Sequence, residues 1–551
     1  MQYLVTFTFL VSALIQVFGQ TNLLPPFLFG RSTRNSFFNH HERIHYANIH
    51  GLDALLQKEA QEAANPPSYP NIKEDWITQK VDHFNSSDTR TWSQRIQSNS
   101  IYFNKTDGQS VIFLMLGGEG MAEAKLINDD YQWVVMGKNQ SAQLYQLEHR
   151  FFGPSQPFNT TGSLSFPNLQ YLTPEQALED MAVFVTETSK KFSNPKWILF
   201  GVAMERYANL FAGGICSSAI VKVQTDYFGY AQGVQDSVKT TSMDCYNAVN
   251  ASFIQLQQLS LSFDGRNKLT KVFNIQPPLA DKSTQLDITN FLSGMFGIFQ
   301  SVIQYTFDGQ NKNTENGLSV AGLCKVMTMI DNKNPDPIFR LQALNDWYNA
   351  FYGVPKGAPI YNDYWGTIKQ LSVTDWNLTT NSALEARGWM ALCCANKNMG
   401  IGFLQTTDQG RNIFGSIIPL NYYIDMCTDM FDSTVSIDYI NSAVERGKTY
   451  FGASNYNGTY VVLPTGSLDE WTRSVPRINN TATQTYSILI EGIGHCGDMY
   501  PTYKNEPTGL ANARTFIQGQ VTKYVARSMG ASSTISLSML ALSTAIAFLF
   551  Y

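Results

Sequence analysis

Runs of hydrophobic residues alternate with amphipathic segments along much of the chain, which predicts strands that alternate with helices. The run Ser110–Leu116 is apolar throughout, as expected for a strand that helices cover on both faces. Thr173 and Pro174 supply a capping residue and a first-turn proline for a helix that continues to about Lys190. Trp197–Phe200 is the next predicted strand. The pattern therefore predicts a sheet with helices on both faces.

Two later predicted strands end in loops that carry polar side chains of a catalytic type. Tyr460–Leu463 leads into the loop of Asp469, and Tyr486–Ile490 leads into the loop of His495. The carboxyl ends of parallel strands form the edge where such sheets bind ligands. A serine-hydrolase triad needs a carboxylate, an imidazole and a hydroxyl that the imidazole deprotonates. The alternatives are a turn carboxylate for Asp469 and a surface histidine for His495.

The segment from about Tyr246 to Thr407 departs from this alternation. It contains helix-like runs such as Ile288–Tyr305 and Pro337–Tyr352, and it predicts a helical insertion over the sheet. Residues 20–74 have no strand pattern and carry four of the seven histidines in a polar context. For this segment we favour a solvated leader or pro-region over metal binding. The four histidines are His40, His41, His45 and His50.

The composition is that of a globular chain of 551 residues, 44% of them hydrophobic and 13% aromatic. Such a chain buries one large core with an insertion, or two cores. The net charge of -5 comes without a basic stripe, which disfavours nucleic acid as a partner and leaves small peptides and metabolites open. No histidine pair at metal-ligand spacing lies in the part predicted to fold, so we expect no metal and no cofactor.

Both ends of the chain carry patterns of the secretory pathway. Residues 1–19 form an apolar run of signal-peptide type, with a buried strand or helix as the alternative. The uncharged stretch 535–551 follows small residues and resembles a lipid-anchor signal, with a membrane helix or a plain apolar end as alternatives. Eight sequons are candidate glycan acceptors: Asn85, Asn104, Asn139, Asn159, Asn250, Asn377, Asn457 and Asn479.

Seven cysteines allow at most three disulfides and leave one thiol over. An oxidising compartment, which the sequons and the signal pattern favour, permits such bridges. We expect the pairs Cys245 with Cys324 and Cys394 with Cys427. The other three cysteines are Cys216, Cys393 and Cys496.

Five separate motifs occur in one order between about Trp76 and Val525. They are Glu148–Ser155, Tyr171–Leu178, Gln405–Asp408, Leu468–Trp471 and His495–Met499. Together they resemble the family of lysosomal Pro-X carboxypeptidase, dipeptidyl peptidase II and thymus-specific serine protease. The resemblance implies an α/β-hydrolase domain with an inserted helical cap, and exopeptidase action beside proline on short peptides.

The same resemblance assigns candidate roles. It places the triad acid on Asp469 and the base on His495, and His495 is also the only histidine after His149. It places the oxyanion and substrate region on Gly117, Gly118, Glu119 and Gly120.

For Glu148 and Arg150 we favour a structural ion pair over one near the site. The expected organisation is a signal peptide (1–19), a leader or pro-region (20–74), a first hydrolase part (75–245), a cap (246–407), a second hydrolase part (408–526) and a hydrophobic tail (527–551).

The chain departs from the family pattern where the nucleophile belongs. No Gly-x-Ser-x-Gly occurs, and Gly201 runs through Val202 and Ala203 into Met204 where the family has a Gly-Ser-Tyr elbow. A block of roughly ten residues is missing, about the elbow and two helical turns. The remaining link predicts a helix of about two turns that covers a central strand poorly. Apolar side chains would then be exposed, at a free-energy cost of about 1.5–3 kcal/mol each.

Three substitutes for the nucleophile are disfavoured. Ser217 and Ser218 lie in an apolar, strand-like run, and Cys216 is read as a small buried residue. The segment Gly317–Ala321, centred on Ser319, looks like an elbow but follows a polar loop instead of a strand. Without a hydroxyl at the elbow, proficient acyl transfer should fail while some binding survives.

Two hypotheses follow, and both keep the fold. The first is a secreted prolyl exopeptidase whose serine is absent from this version because of a shortened gene model or a splice variant. The second is an inactive peptide-binding relative, held at the cell surface or released. The sequence leaves open carboxypeptidase against dipeptidyl-peptidase specificity, lysosomal against extracellular residence, and whether the chain forms a homodimer.

Overall fold

The computed structural model describes most of the chain between residues 27 and 527. The described residues are 27–28, 31–32, 44, 46–47, 49–104, 108–158, 162–201, 207–279, 282–307, 317–329, 336–376, 381–452, 455–504 and 506–527. The expected signal peptide and the apolar C-terminal stretch lie outside them, as do Asn159 and Asn377. Residues 202–206, at the departure from the family pattern, also lie outside.

A nine-stranded sheet forms the centre of the fold, in the order β14-β15-β13-β8-β7-β5-β6-β4-β3. The strands from β15 to β6 are parallel, whereas β4 is antiparallel to both of its neighbours and β14 is antiparallel to β15. The strands of the chain are β1 (Phe27–Leu28), β2 (Arg31–Ser32), β3 (Ile72–Lys80), β4 (Thr91–Asn99), β5 (Ser110–Leu116), β6 (Gln143–Leu147), β7 (Pro195–Phe200), β8 (Gly213–Ile215), β9 (Gln224–Asp226), β10 (Ile275–Gln276), β11 (Ile360–Tyr361), β12 (Gly402–Leu404), β13 (Val461–Gly466), β14 (Asn479–Asn480) and β15 (Thr485–Ile490).

Helices cover both faces of this sheet and build a layer over one end of it. They are α1 (Leu52–Ala64), α2 (Lys125–Asn128), α3 (Gln132–Asn139), α4 (Phe166–Leu169), α5 (Pro174–Ser189), α6 (Gly229–Thr241), α7 (Met243–Ser260), α8 (Phe263–Phe273), α9 (Gln285–Gln304), α10 (Val320–Thr328), α11 (Ile338–Ala350), α12 (Tyr364–Leu371), α13 (Asn381–Met390), α14 (Leu420–Met430), α15 (Ile437–Phe451) and α16 (Thr508–Ala526). A π-helical turn, Ala391–Ala395, follows α13, and a 3₁₀ turn, Glu470–Ser474, follows β13.

The two faces of the sheet have separate apolar cores because successive side chains of a strand point to opposite faces. On β7, Trp197 and Leu199 pack with α5, and Ile198 and Phe200 pack with α3 and α16. The predicted start of α5 is confirmed, since Thr173 caps it by accepting a hydrogen bond from the amide of Gln176. This mostly parallel sheet, with an antiparallel second strand and helices on both faces, is an α/β-hydrolase fold, so the predicted fold class is confirmed.

The helices between α7 and α14 enclose the largest apolar core. Its centre is α9, which is buried along nearly its whole length. Among the described residues, α9 is the one helix long and apolar enough to span a membrane. Of its 18-residue apolar stretch, 83% is buried inside the protein, as in a core helix. Disulfides join Cys245 to Cys324 and Cys394 to Cys427, the two expected pairs.

The expectation that residues 20–74 form a solvated leader is wrong for part of that segment. Phe27 and Arg31 are 0% and 2% exposed, and Ile44 and Ala47 are buried as well. Phe27 packs against α9, where Gly297 leaves room for it: a Cβ atom at Gly297 would lie 3.2 Å from the Phe27 carbonyl oxygen. The segment therefore contributes side chains to the helical core.

The short link between β7 and β8 also differs from expectation. Residues 207–212 form a turn without a helix, and Lys196–Phe200 of β7 are buried. Tyr207 and Leu210 pack against the core on the α5 face, and Phe211 is fully buried there. For β7 and for the described part of the link, residues 207–212, the predicted exposure of apolar side chains is therefore wrong, because Tyr207, Leu210 and Phe211 pack against the core on the α5 face.

Candidate active site

The loops after β13 and β15 meet at the carboxyl edge of the sheet. The amides of Ser467 and Leu468 donate hydrogen bonds of 2.9 and 3.0 Å to the carbonyls of Ile490 and Ile493. Gly466 is needed at this contact, because a Cβ atom there would collide with the carbonyl oxygen of Ile493. The backbone thus fixes the two loops relative to each other.

The Asp469 carboxylate and the His495 imidazole lie side by side in this fixed frame. Oδ1 of Asp469 is 3.2 Å from Nδ1 of His495, and Asp469 is 3% exposed. The same carboxylate accepts a 3.0 Å hydrogen bond from the amide of Trp471 and a 3.2 Å hydrogen bond from the Thr465 hydroxyl. Helix α9 anchors the backbone of this loop, because the His495 amide donates a hydrogen bond to the carbonyl oxygen of Gln304 at the end of the helix.

Two neighbours of His495 control its charge. Burial lowers the pKa of His495, but the sulfur of Cys496 and the carboxylate of Asp469 outweigh burial and raise that pKa well above its usual range. A carboxylate at Nδ1 also fixes the tautomer, which leaves the other ring nitrogen for proton transfer when the ring is neutral. With a neutral ring, that nitrogen of His495 can accept a proton from a hydroxyl placed beside it.

Glu470, the residue after Asp469, is a second buried carboxyl group. It is 0% exposed, and neither carboxyl oxygen has a hydrogen-bond partner among the described residues. Burial raises the pKa of Glu470 well above its usual range, and the negative charge of Asp469 raises it further. Burial without a hydrogen-bond partner therefore favours the neutral form of Glu470.

The loop Gly117–Gly120 follows β5 at the same edge. Gly117 has a steric reason to be glycine, since a Cβ atom would lie 3.0 Å from both the His149 backbone nitrogen and the Leu147 carbonyl oxygen. Gly117, Gly118 and Glu119 line a mostly apolar cavity of about 280 Å³ beside Gly201. Other lining residues are Gln94, Leu116, Leu147, Glu148, His149, Pro174, Ala177, Leu178, Ile220, Trp389, Leu392, Ile401 and Phe451.

The predicted pairing of Glu148 with Arg150 is wrong. The Glu148 carboxylate pairs with Arg95 at 2.6 Å, and the Arg150 guanidinium pairs with Asp180 at 2.7 Å. The two side chains belong to different buried networks, because Arg150 also donates to the carbonyls of Val81 and Tyr171. Both networks tie loops to the sheet, and Glu148 also lines the cavity beside Gly201.

The expected position of the nucleophile, just after Gly201, falls in residues 202–206 and outside the described residues. Cys216 is buried, as expected, and its thiol lies 2.7 Å from the Gly201 carbonyl oxygen. The prediction that Ser217 and Ser218 belong to a strand is wrong, because β8 ends at Ile215 and both lie in the turn that follows. Ser217 donates its hydroxyl to Asp498, and Ser218 accepts from the Cys496 amide.

Ser319 has a structural role. It is fully buried, and its hydroxyl caps α10 by accepting a hydrogen bond from the Gly322 amide. The elbow-like spacing of Gly317–Ala321 therefore arises from a helix start.

Sequence reasoning missed three features of this edge. They are the buried carboxyl group of Glu470, the contact of Ser217 with Asp498, and the ion pair of Arg31 with Glu385. The adjacent acids in Leu468–Trp471 are a signal for the first, because two neighbouring carboxyl groups cannot both be buried and charged. The other two join residues more than 250 positions apart, and no local pattern indicates them.

A buried carboxylate–imidazole pair beyond two parallel strands, in an α/β-hydrolase sheet, is the acid–base arrangement of serine hydrolases. The chain belongs to the serine carboxypeptidase S28 family, whose model matches residues 79–517. A Caenorhabditis elegans protein named "Putative serine protease" is 37% identical and covers 91% of each chain. Human thymus-specific serine protease is 26% identical over 81% of this chain and 85% of its own. Human lysosomal Pro-X carboxypeptidase is 23% identical over 82% and 88%.

Proposed function

We propose that this chain is a secretory-pathway member of its family that binds short proline-containing peptides. We also propose that it is inactive or nearly so as a peptidase in this form. The observation that carries the proposal is the Asp469–His495 pair, which the fold holds at 3.2 Å. Family membership and the name of the Pro-X carboxypeptidase relative support the peptide class. The absence of an elbow serine after Gly201 supports the loss of turnover.

Each part of the site has a role in this proposal. Asp469 orients the imidazole, and His495 is the general base that an elbow serine would need. By family resemblance, the amides of the loop Gly117–Gly120 would stabilise a developing oxyanion, and the cavity that Gly117, Gly118 and Glu119 line would receive an apolar side chain such as proline. Because no hydroxyl is supplied at the elbow, His495 has no nucleophile to activate, and only binding remains.

The packing of the short link favours the inactive peptide-binding protein over a damaged version of an active one. β7 and β8 pair in parallel, from Ile198 with Gly213 to Phe200 with Ile215. Tyr207 donates a 2.6 Å hydrogen bond to Glu179 of α5, and β7 stays buried. A sheet that closes without the elbow helix supports a short chain that folds.

The exposed sequons support secretion in this proposal. Of the six sequon asparagines that the structure describes, five are exposed and Asn250 is half-buried. The exposed five are Asn85, Asn104, Asn139, Asn457 and Asn479. Glycans on them, a signal peptide at 1–19 and attachment through the apolar tail would place the protein in the lysosome, at the cell surface or outside the cell.

Detection of the short chain itself is the first test. Trypsin cuts after Lys196 and Arg206 release residues 197–206, whose mass spans the junction after Gly201. Finding this peptide in secreted or membrane fractions of the source organism supports the proposal. Finding only a longer peptide with a serine elbow contradicts it and favours the active exopeptidase.

Binding and turnover are then measured on one purified protein. The pentapeptide Ala-Pro-Ala-Pro-Ala presents proline second from each end, and penta-alanine is its control. We expect calorimetric binding of the proline peptide, no release of alanine or of Ala-Pro by mass spectrometry, and no fluorophosphonate labelling. Turnover that disappears in His495→Ala would contradict inactivity, and equal binding of both peptides would contradict the proline preference.

A further inference from the structure

The N-terminal hairpin of β1 and β2 carries an arginine into the interior of the protein. β1 and β2 pair antiparallel, with Leu28 opposite Arg31. Phe27 fixes one side of the hairpin on α9, and the Arg31 side chain is 3% exposed. A buried guanidinium is expensive unless charged and polar acceptors replace its water.

The acceptors of Arg31 come from two separate elements. Nη2 lies 2.7 Å from Oε2 of Glu385 in α13. Nη1 donates to the carbonyl oxygens of Glu119 at 2.7 Å and Glu385 at 3.3 Å. The Glu385 carboxylate is itself held in place, because its Oε1 accepts a 3.1 Å hydrogen bond from the Met121 amide. One carboxylate and two carbonyls, pre-oriented in this way, form a cradle for a planar cation.

This cradle adjoins the candidate active site. Glu119 belongs to the loop that lines the cavity beside Gly201, and Trp389 of α13 lines the same cavity one turn beyond Glu385. Tyr305, whose ring centroid is 6.5 Å from that of His495, feels the Arg31 charge: burial raises the pKa of Tyr305 well above its usual range, and Arg31 opposes that rise. The guanidinium thus lies beside the loop that lines this cavity, because it donates to the Glu119 carbonyl oxygen.

The N-terminal hairpin that supplies this cation lies outside the nine-stranded sheet and before the family match, which begins at residue 79. Glu385 is 1% exposed, so loss of Arg31 would remove a charged partner from a carboxylate in a dry environment. Any basic group with the same planar geometry that reached Glu385 would restore an ion pair with its carboxylate. A peptide ligand with an arginine side chain has that chemistry.

We propose that Glu385, with the main-chain carbonyls of Glu119 and Glu385, forms a binding site for an arginine side chain of a peptide ligand, and that Arg31 fills this site in cis. The inference rests on the proposed function in one respect, that the cleft binds peptides. The N-terminal hairpin is then an intramolecular competitor, and a basic peptide binds only where Arg31 has left.

Arg31→Ala in the full chain tests the site directly. The probes are N-acetylarginine amide and its neutral isostere N-acetylcitrulline amide, titrated by calorimetry. We expect Arg31→Ala to bind the arginine probe at least tenfold more tightly than the citrulline probe. Wild-type protein should bind both probes weakly, and Arg31→Ala with Glu385→Gln should lose the preference. Equal binding of the two probes by folded Arg31→Ala would overturn the proposal.

A second measurement covers the case in which Arg31→Ala does not fold. Glu385→Gln in the otherwise wild-type chain weakens the hold on Arg31, and trypsin then gains access to the bond after Arg31. We expect at least a tenfold faster cut there under native conditions, with exposed Glu491→Gln as the matched control. An unchanged cutting rate in Glu385→Gln would show that the cradle does not hold the hairpin.

The two proposals fail in different ways. If Ala-Pro-Ala-Pro-Ala binds and the arginine probe shows no preference over citrulline, the arginine site is wrong and the proposed function stands. If the arginine probe binds and the proline peptide does not, the proline function is wrong and the arginine site stands.

Discussion

The hydroxyl of Tyr207 donates a 2.6 Å hydrogen bond to Oε1 of Glu179, and this contact fastens the short link between β7 and β8 to α5. Tyr207→Phe removes the donor and keeps the ring. We expect the free energy of unfolding to fall by about 1 kcal/mol, since a half-buried hydrogen bond to a carboxylate is lost. Urea denaturation with an unchanged m-value measures this loss.

Tyr361→Phe is the control for that change, because Tyr361 is 39% exposed and its hydroxyl makes no hydrogen bond that the structure records. Its free energy of unfolding should stay within about 0.5 kcal/mol of wild type. If Tyr207→Phe were as stable as this control, the link would not depend on its attachment to α5.

Gly466→Ala should separate the loops of Asp469 and His495. The added methyl group would collide with the Ile493 carbonyl, and overpacking of this kind costs about 1–3 kcal/mol. Gly519→Ala is the matched control: Gly519 lies in α16 with nothing within 4 Å of its added Cβ. The control should stabilise the protein by about 0.5–1 kcal/mol, because alanine is the better helix former. Thermal unfolding of both variants checks the opposite signs, and a stabilised Gly466→Ala would contradict the loop geometry.

Asp469→Asn should lower the pKa of His495. The carboxylate is one of the two groups that raise this pKa against burial, and asparagine removes its charge. A titration of the His495 ring by nuclear magnetic resonance follows the change directly. If the pKa stayed as high in Asp469→Asn as in wild type, the Asp469 carboxylate would not be what holds the imidazolium.

The same group predicts a pH dependence of stability. His495 has a folded-state pKa above its unfolded value of about 6.5, so its contribution is fully present below pH 6.5 and is lost as the pH rises through the folded pKa. In Asp469→Asn this decline in the free energy of unfolding should be smaller. Urea denaturation at several pH values above 6.5 measures both slopes.

Glu470→Gln should stabilise the protein more at pH 8 than at pH 4. The folded state keeps a proton on Glu470 that the unfolded chain releases above its ordinary pKa of about 4.5, so wild-type stability falls as the pH rises. Glutamine is neutral throughout and removes this penalty. Exposed Glu491→Gln provides the comparison. A gain in Glu470→Gln that is equal at both pH values would mean that the carboxyl is not held neutral.

The sheet could be predicted from the sequence because its signals are local. Ser110–Leu116 is a strand with the predicted bounds, and Thr173 caps the helix that it was expected to begin. Asp469 and His495 could be placed at one edge because both follow strands, and parallel strands bring their carboxyl ends together.

The rest depended on contacts between distant parts of the chain. Arg31 looks like any polar leader residue until Glu385, more than 350 positions later, is brought to it. The short link after β7 was expected to cover a central strand poorly, because the sequence does not show that Tyr207 and Phe211 pack on the α5 face. The pairing of Glu148 with Arg95 in place of Arg150 is likewise decided by the neighbouring strand and not by spacing.

The two outer strands of the sheet have consequences for how the molecules behave at high concentration. β3 presents nine residues of backbone along one outer edge, and an unpaired edge of that length is a template for pairing between molecules. Lys73, Glu74 and Asp75 place charged side chains there and work against such aggregation. The opposite edge is only the two-residue β14, whose first residue is the sequon asparagine Asn479. A sugar chain on Asn479 would shield that edge, so loss of this glycan should affect solubility before it affects the cleft.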